Sequence, residues 1–385
     1  MNIAFYAPMK SPDDPRPSGD RTVARGLVEA LRLAGHSVCV PSRFRTHDRG
    51  DGGRQARLRA IGGRLAERLL RQGRAAPSLD LWFTYHLYHK APDWLGPRVA
   101  GALGIPYVVA EASVAGKQRG GAWSLGYEAS LDALGRADLV IGLNPADRAG
   151  VTPLIAGHGE YLALAPFLDT QPWRQAASRR HASRAALAER HGLSPDRPWL
   201  IAAAMMREDQ KLASYRLLAQ ALASLGDCAF DLLIVGSGPA EPAVREAFAG
   251  LPAQVAFLGA AEPEGMPDLF AAADLAVWAA IKESWSMALL EAQAVGLPAV
   301  AGRSGGVATI VEDGVTGLLT PEADVAAFAA AVRQMLEPSL RASMGAAARD
   351  RAQRCHSLAA ASATLDGALR DMLARHTRSK QAETA

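Results

Sequence analysis

Two glutamates, Glu283 and Glu291, stand eight positions apart in the otherwise mostly apolar stretch "KESWSMALLEAQAVGLP", Lys282 to Pro298. If this stretch forms one helix, capped by Ser284 or Ser286, eight residues advance about 12 Å and turn the second side chain roughly 80° from the first. Carboxylates so placed cannot share a metal ion or a proton. They can accept hydrogen bonds from hydroxyls at the two ends of one long ligand. The free N–H groups of the helix start are then left for an anion between those ends. The plain alternative is a loop glutamate followed by a half-exposed helix glutamate, and the interval alone does not choose between the two.

A nucleoside diphosphate sugar has the required shape, with ribose at one end, hexose at the other and two phosphates between. Other polar residues sit where strand-like runs end. Arg207 and Lys211 follow "PWLIAAAMM", although "REDQK" also reads as a solvated loop. "VGSGP", Val235 to Pro239, reads as a tight turn close to a nucleotide. As a dinucleotide fingerprint it fails, because Glu241 occupies the place of the third glycine. His86, His89 and Lys90 follow the apolar start of "LDLWFTYHLYHK", and a buried, satisfied histidine is the commoner fate of either imidazole. Ser18 can cap the helix that begins "GDRTVARG".

The elements that must hold these residues alternate. "NIAFYAP", "HSVCVPS", "LDLWFTYH", "IPYVVAEAS" and "ADLVIGLN" have strand length, with helical periodicity between them, as in Val23, Leu27, Ala30, Leu31 and Ala34. "LAPFLDTQPW" breaks the rhythm, and a second series restarts with "PWLIAAAMM", "FDLLIVGSG", "QVAFLGA", "LAVWAA" and "PAVAG". Two doubly wound α/β domains facing across a cleft are expected, with chemistry in the loops after strands. At 385 residues two domains are the natural count.

Composition narrows the classes. With 49% apolar and 21% charged residues the chain is globular, and a formal charge of +3 does not argue for nucleic acid. The start "MNIAFYAPMK" lacks a signal-peptide pattern, and Cys39, Cys228 and Cys355 lie far apart, so a reducing cytoplasm is expected. The segment Arg54–Arg74 is rich in arginine, with Leu58, Ile61, Leu65 and Leu69 on one helical stripe. A helix packed by those leucines is the first expectation. Peripheral contact with anionic lipid is the second. The Gly62-Gly63 pair is expected to weaken a long helix there.

The string from "ADLAVWAAIKESWSMALLEAQAVGLPAVAG" to "DGVTGLL" resembles the nucleotide-sugar half of the family 4 glycosyltransferases, which have the two-domain GT-B fold. Their signature is a glutamate, seven residues and a second glutamate, then a "GLPVVA" strand, a Gly-Gly turn and a "DGxTGLL" segment. Here these are Glu283, Glu291, Gly296 to Ala301, Gly305-Gly306 and Asp313 to Leu319.

The resemblance implies that Glu291 binds the ribose hydroxyls and Glu283 the transferred sugar. Arg207 and Lys211 would steady the diphosphate as charge builds on it, with no metal or other cofactor required. Gly236, Ser286, Met287, Ala288, Gly305 and Gly306 would bring backbone near the donor, although the family usually has glycine at position 286. It further implies retention of the donor's anomeric configuration and an acceptor held mainly by the first domain. Gly19, Asp20, Arg21, His86 and Glu111 are the candidates on that acceptor or phosphate side, with Arg21 offsetting Asp20.

The resulting expectation is a retaining enzyme acting on a nucleotide sugar and a glycan or lipid-linked acceptor, without nucleic acid. The domains would be 1–168 and 169–359, with a helix at 360–377 packing back on the first and a disordered tail at 378–385. A non-catalytic nucleotide-sugar binder on the same fold is the alternative, favoured by Ser286 and by Asp20 where the family often has a second glycine. A sugar-nucleotide epimerase is the more distant one.

Overall fold

The ten apolar runs become strands and two more join them, twelve among the described residues, with the central strands buried as parallel sheets require. The computed structural model describes residues 1–384, apart from Pro17, residues 74–77, Ala156, His158 and Asp227. The chain divides into one unit of Met1–Leu164 with Leu358–Ala385 and another of Ala165–Ser357. These boundaries replace the expected 168/169 and 359/360, because Leu164 still pairs with Gly142 while Leu168 already bonds to His356.

In the first unit the strands are β1 (Asn2–Tyr6), β2 (Ser37–Cys39), β3 (Leu81–Leu87), β4 (Tyr107–Ala112), β5 (Leu139–Gly142) and β6 (Glu160–Ala163). They form one parallel sheet in the order β2-β1-β3-β4-β5-β6. The second unit contains β7 (Trp199–Ala203), β8 (Asp231–Val235), β9 (Gln254–Gly259), β10 (Leu275–Trp278), β11 (Ala299–Gly302) and β12 (Gly317–Thr320). Their order is β12-β11-β10-β7-β8-β9, again all parallel.

Register is pinned at the amino ends of the strands by a repeated device. Asp80, Asp138 and Asp274 each stand one residue before a strand. Their carboxylates accept the first N–H of the neighbouring strand: Asn2 at 2.7 Å, Tyr107 at 2.8 Å and Trp199 at 2.8 Å. Each aspartate also donates its own N–H to the carbonyl of that same residue. Hydrogen bonds to a charged acceptor contribute about 1.5–3 kcal/mol each, and a one-residue slip would forfeit them.

The arginine-rich segment is one helix, Gly52–Gly73, unbroken at Gly62-Gly63. The expected weakening fails because a Cβ at Gly62 would lie 2.4 Å from Cβ of Trp94: the glycine lets the helix lie close against its neighbour. Leu58 and Ala66 are buried and Leu65 and Leu69 pack on the core, but Ile61 faces outward. The packed-helix expectation therefore holds for three of its four residues. Arg74 lies outside the described residues, and no helix among those described is long and apolar enough to cross a membrane.

The helix expected at 360–377 runs from Leu358 to Thr384 and takes in residues 378–384 of the expected disordered tail, while Ala385 lies outside the described residues. It belongs to the first unit and is tied down along its length. Asp366 pairs with His36 at 3.1 Å, Arg375 with Glu160 at 2.6 Å and His376 with Asp138 at 3.2 Å, while Lys380 donates to the carbonyl of Gly104. Those anchors extend helical order into a polar tail that composition alone would leave loose.

Candidate active site

Sheet order locates the site in the second unit. The chain lays β8 and β9 on one side of β7, then returns to place β10 on the other. The loops leaving β7 and β10 therefore diverge at the carboxyl edge, where open parallel sheets collect ligands.

The helix Gln210–Ala223 follows β7, capped by Asp209, which accepts the N–H of Lys211 at 2.9 Å. A lysine in the first turn opposes the helix dipole, so helix stability does not explain it. Its Nζ makes an ion pair with Oε2 of Glu283, and the two side chains are only 14% and 10% exposed. The same oxygen accepts the indole N–H of Trp278, the last residue of β10, at 3.1 Å. Lys211 Nζ also lies 5.1 Å from the centre of the Trp278 ring. Tyr215 meets that ring edge-on at 5.1 Å and donates its hydroxyl to the Ala204 carbonyl at 2.8 Å.

The loop carrying Glu283 is strained and stitched in place. Ala280 and Lys282 have φ of 53° and 47°, in the left-handed region that non-glycine residues rarely adopt. Ser214 Oγ accepts Ile281 N–H at 3.0 Å, Glu322 accepts Lys282 N–H at 2.8 Å, and Ser304 Oγ accepts Glu283 N–H at 3.1 Å. Beneath it lies the Gly-Gly turn. Gly305 has φ of 48°, and a Cβ there would sit 2.0 Å from the Glu283 carbonyl oxygen. Gly306 donates its N–H to the Ser284 carbonyl at 2.7 Å. The turn thus supports the glutamate loop, and the Gly306 amide is not free for a donor.

The two glutamates are not on one helix. The helix begins only at Met287 and runs to Val295, so Glu283 precedes it. Ser286 is the N-cap residue by position, but its side chain makes no capping bond, and Ser284 lies outside the helix. The amides of Leu289 and Leu290 both reach the Ser286 carbonyl. Among the described residues, those of Met287 and Ala288 have no backbone acceptor, leaving two donors for an anion. Glu291, farther along this helix, is partly buried with no protein partner, and burial pushes its carboxyl up to about 7.

Arg207 does not join Lys211. Its side chain, two residues before the helix cap, is 46% exposed, with Nε 3.2 Å from Asp209. Of the four expected groups, the structure joins Lys211 and Glu283 directly. Gly236 is a close approach rather than a ligand amide: its N–H bonds to the Gly259 carbonyl at 2.7 Å, and a Cβ would lie 2.0 Å from the Ala204 carbonyl.

In the first unit the chain reverses between β1 and β3. Ser18 caps the helix Gly19–Leu33, and Asp20 in its first turn meets His86 Nδ1 at 3.0 Å. His86 and Glu111 face each other across β3 and β4, between the register pairs Tyr85–Ala110 and Leu87–Ala112. Both have positive φ, 63° and 57°. Burial pushes the imidazole down, but the Asp20 hydrogen bond and the charges of Glu111, Asp20 and Asp147 outweigh it, and His86 ends above its ordinary value. Burial raises the Glu111 carboxyl, with His86 opposing. Arg21 does not offset Asp20: its guanidinium donates to the carbonyls of Asp14 and Pro15, both at 3.1 Å. Gly19 opens the helix with free space about it.

Residues 197–338 match the family model described as "Glycosyl transferases group 1". This segment, under half of the chain, is similar to a group 1 glycosyltransferase domain. The chain is 37% identical over 135 residues to a D-inositol 3-phosphate glycosyltransferase of Acidothermus cellulolyticus, across 33% of this chain and 30% of that protein. It is 32% identical over 216 residues to an alpha-D-kanosaminyltransferase of Streptomyces kanamyceticus, across 55% and 53%. It thus spans about half or less of the length of these curated relatives. The structure of Anabaena Alr3699/HepE in complex with UDP matches with a TM-score of 0.72 at 17% identity, over 96% of this chain and 100% of that one. Identity that low speaks for the fold alone, the GT-B class.

In the second unit, sequence reasoning missed Trp278, Ser304 and Ser214, which hold Glu283 and its loop. Trp278 ends an apolar strand and looks like core, so only its indole N–H, next to a loop with a carboxylate, could have signalled a second use. In the first unit it missed Asp147, which bears on His86 from the segment after β5.

Proposed function

We propose that this chain transfers a sugar from a nucleoside diphosphate sugar to an acceptor hydroxyl, with retention at the anomeric carbon. The single observation that carries the reading is the Lys211–Glu283 pair beyond the ends of β7 and β10. It is supported by an uncommitted carboxylate, Glu291, and two uncommitted amides on the next helix. A ribose diol would donate to Glu291, the phosphates would take the Met287 and Ala288 amides with Lys211, and the hexose would meet Glu283.

In the transfer the bond from the anomeric carbon to the β-phosphate oxygen breaks, and its electron pair leaves with the phosphate. The acceptor oxygen bonds on the same face, and its proton passes to the departing phosphate. Lys211 steadies the charge that develops, so the reading calls for no metal. Asp20, His86 and Glu111 would orient the acceptor hydroxyl, on a glycan or lipid-linked acceptor.

The test is calorimetric binding of uridine, guanosine and adenosine diphosphates and their sugars, followed by nucleotide release over an acceptor panel. One nucleotide sugar should bind and turn over. Absence of binding by every donor would overturn the reading. Binding without turnover over the whole panel would favour a nucleotide-sugar binder instead.

A further inference from the structure

Glu283 Oε2 has two partners of different kinds, and they come from one constellation. Lys211 Nζ reaches it as a charge, and Trp278 Nε1 reaches it as a neutral donor at 3.1 Å. Trp278 is 3% exposed, held by Tyr215, and cannot swing away. Lys211 has a flexible stem and lies against the face of the same indole, 5.1 Å from its centre. A lysine that is to serve a departing phosphate must loosen its hold on Glu283. Alone, that would strand a nearly buried carboxylate, which is costly.

We propose that Trp278 is a positioning residue for both members of the pair. Its N–H keeps Glu283 bonded and oriented toward the hexose when Lys211 turns to the phosphates, and its ring face keeps Lys211 within reach during the exchange. This rests on the donor reading above and adds what makes the lysine transferable. Glu283 would touch the donor; Trp278 would act only through Glu283 and Lys211.

Four proteins test it: wild type, W278F, E283A and W278F/E283A. W278F keeps an aromatic ring and loses the N–H. It should weaken affinity for the nucleotide sugar by roughly tenfold and change affinity for the nucleoside diphosphate by less than about twofold. Its turnover should fall more than its KM rises. In the E283A background the same substitution should cost less than about twofold in either affinity. Thermal unfolding of the four unliganded proteins gives a second cycle, and its shifts should be non-additive.

Equal losses for nucleotide and nucleotide sugar, or equal losses in both backgrounds, overturn the proposal, because a merely structural tryptophan would give either. Additive thermal shifts overturn the contact itself. Should W278F fold poorly, the W278Y and W278L pair is read in the same cycle. Wild-type protein that binds no nucleotide sugar overturns the functional reading first, an outcome separate from all of these.

Discussion

Lys211 and Glu283, 72 positions apart, close an ion pair that neither strand nor helix geometry alone would create. It exists because β7 and β10 are neighbours and because the loop after β10 is bent through two left-handed residues. Removing one member of a mostly buried pair leaves the other charge uncompensated. K211M should lower sugar transfer by about a hundredfold or more, as losing a preorganised charge at a reacting centre does. Nucleotide release measured beside the melting temperature checks it. A full loss of activity with an unchanged melt would place the lysine's value in chemistry, and unchanged turnover would remove it from the site.

Glu291 sets a pH dependence with a defined sign. Its carboxyl is raised to about 7 in the folded protein. A raised carboxyl contributes its full stability below the unfolded value and loses it as pH rises through the folded one. Ionisation inside the fold therefore costs the protein above neutrality, on the order of 2–3 kcal/mol. E291Q should melt higher than wild type at pH 8 and alike at pH 5. Donor affinity should move the other way, weak in E291Q at every pH and rising in wild type from pH 6 to 8. Parallel thermal scans and calorimetry decide this.

Gly305 should tolerate no side chain. A Cβ there meets the Glu283 carbonyl oxygen at 2.0 Å, at φ of 48°. G305A should destabilise by about 2–4 kcal/mol or displace the Glu283 loop, through clash and strain together. Denaturant unfolding and donor affinity should both suffer. A wild-type melt with wild-type affinity would mean that the turn does not support the loop.

In the first unit the His86–Asp20 pair also sets a pH dependence. His86 lies above its ordinary value and Asp20 below its own, with the His86 hydrogen bond the largest cause for Asp20. The raised histidine contributes fully below about 6.5, and that contribution fades as pH rises through its folded value. The lowered aspartate contributes above its unfolded value and fades only in acid. D20N should lower the pH at which His86 titrates, read from its ring signals by NMR, and should destabilise more at pH 6 than at pH 9.

What the sequence made legible followed from period and punctuation. "DLLIV" and "AVAG" could hardly be other than buried strands, and β7 through β11 appear where apolar runs predicted them, while β12 reads only as part of a "DGVTGLL" segment. Local pattern failed where tertiary packing decides. Gly62 looks like a helix breaker until Trp94 is laid against it. Glu283 looks helical by composition, but Ser304 and the Gly305-Gly306 turn hold its backbone in a loop. Arg207 and Lys211 share a segment, yet only the lysine points at Glu283, because Asp209 between them both caps the helix and engages the arginine. The aspartates before β3, β5 and β10 were written in the sequence as Asp-Leu. Their use became visible only when strand order put each beside its neighbour's first amide.

The helix Leu358–Thr384 completes a unit whose other residues end at Leu164. On the ribosome, the unit begun first must therefore wait, its sheet flank uncovered, while the uninterrupted Ala165–Ser357 is made and can collapse alone. Synthesis order and completion order run opposite ways, and a chain truncated before Leu358 would leave the first half without its last helix.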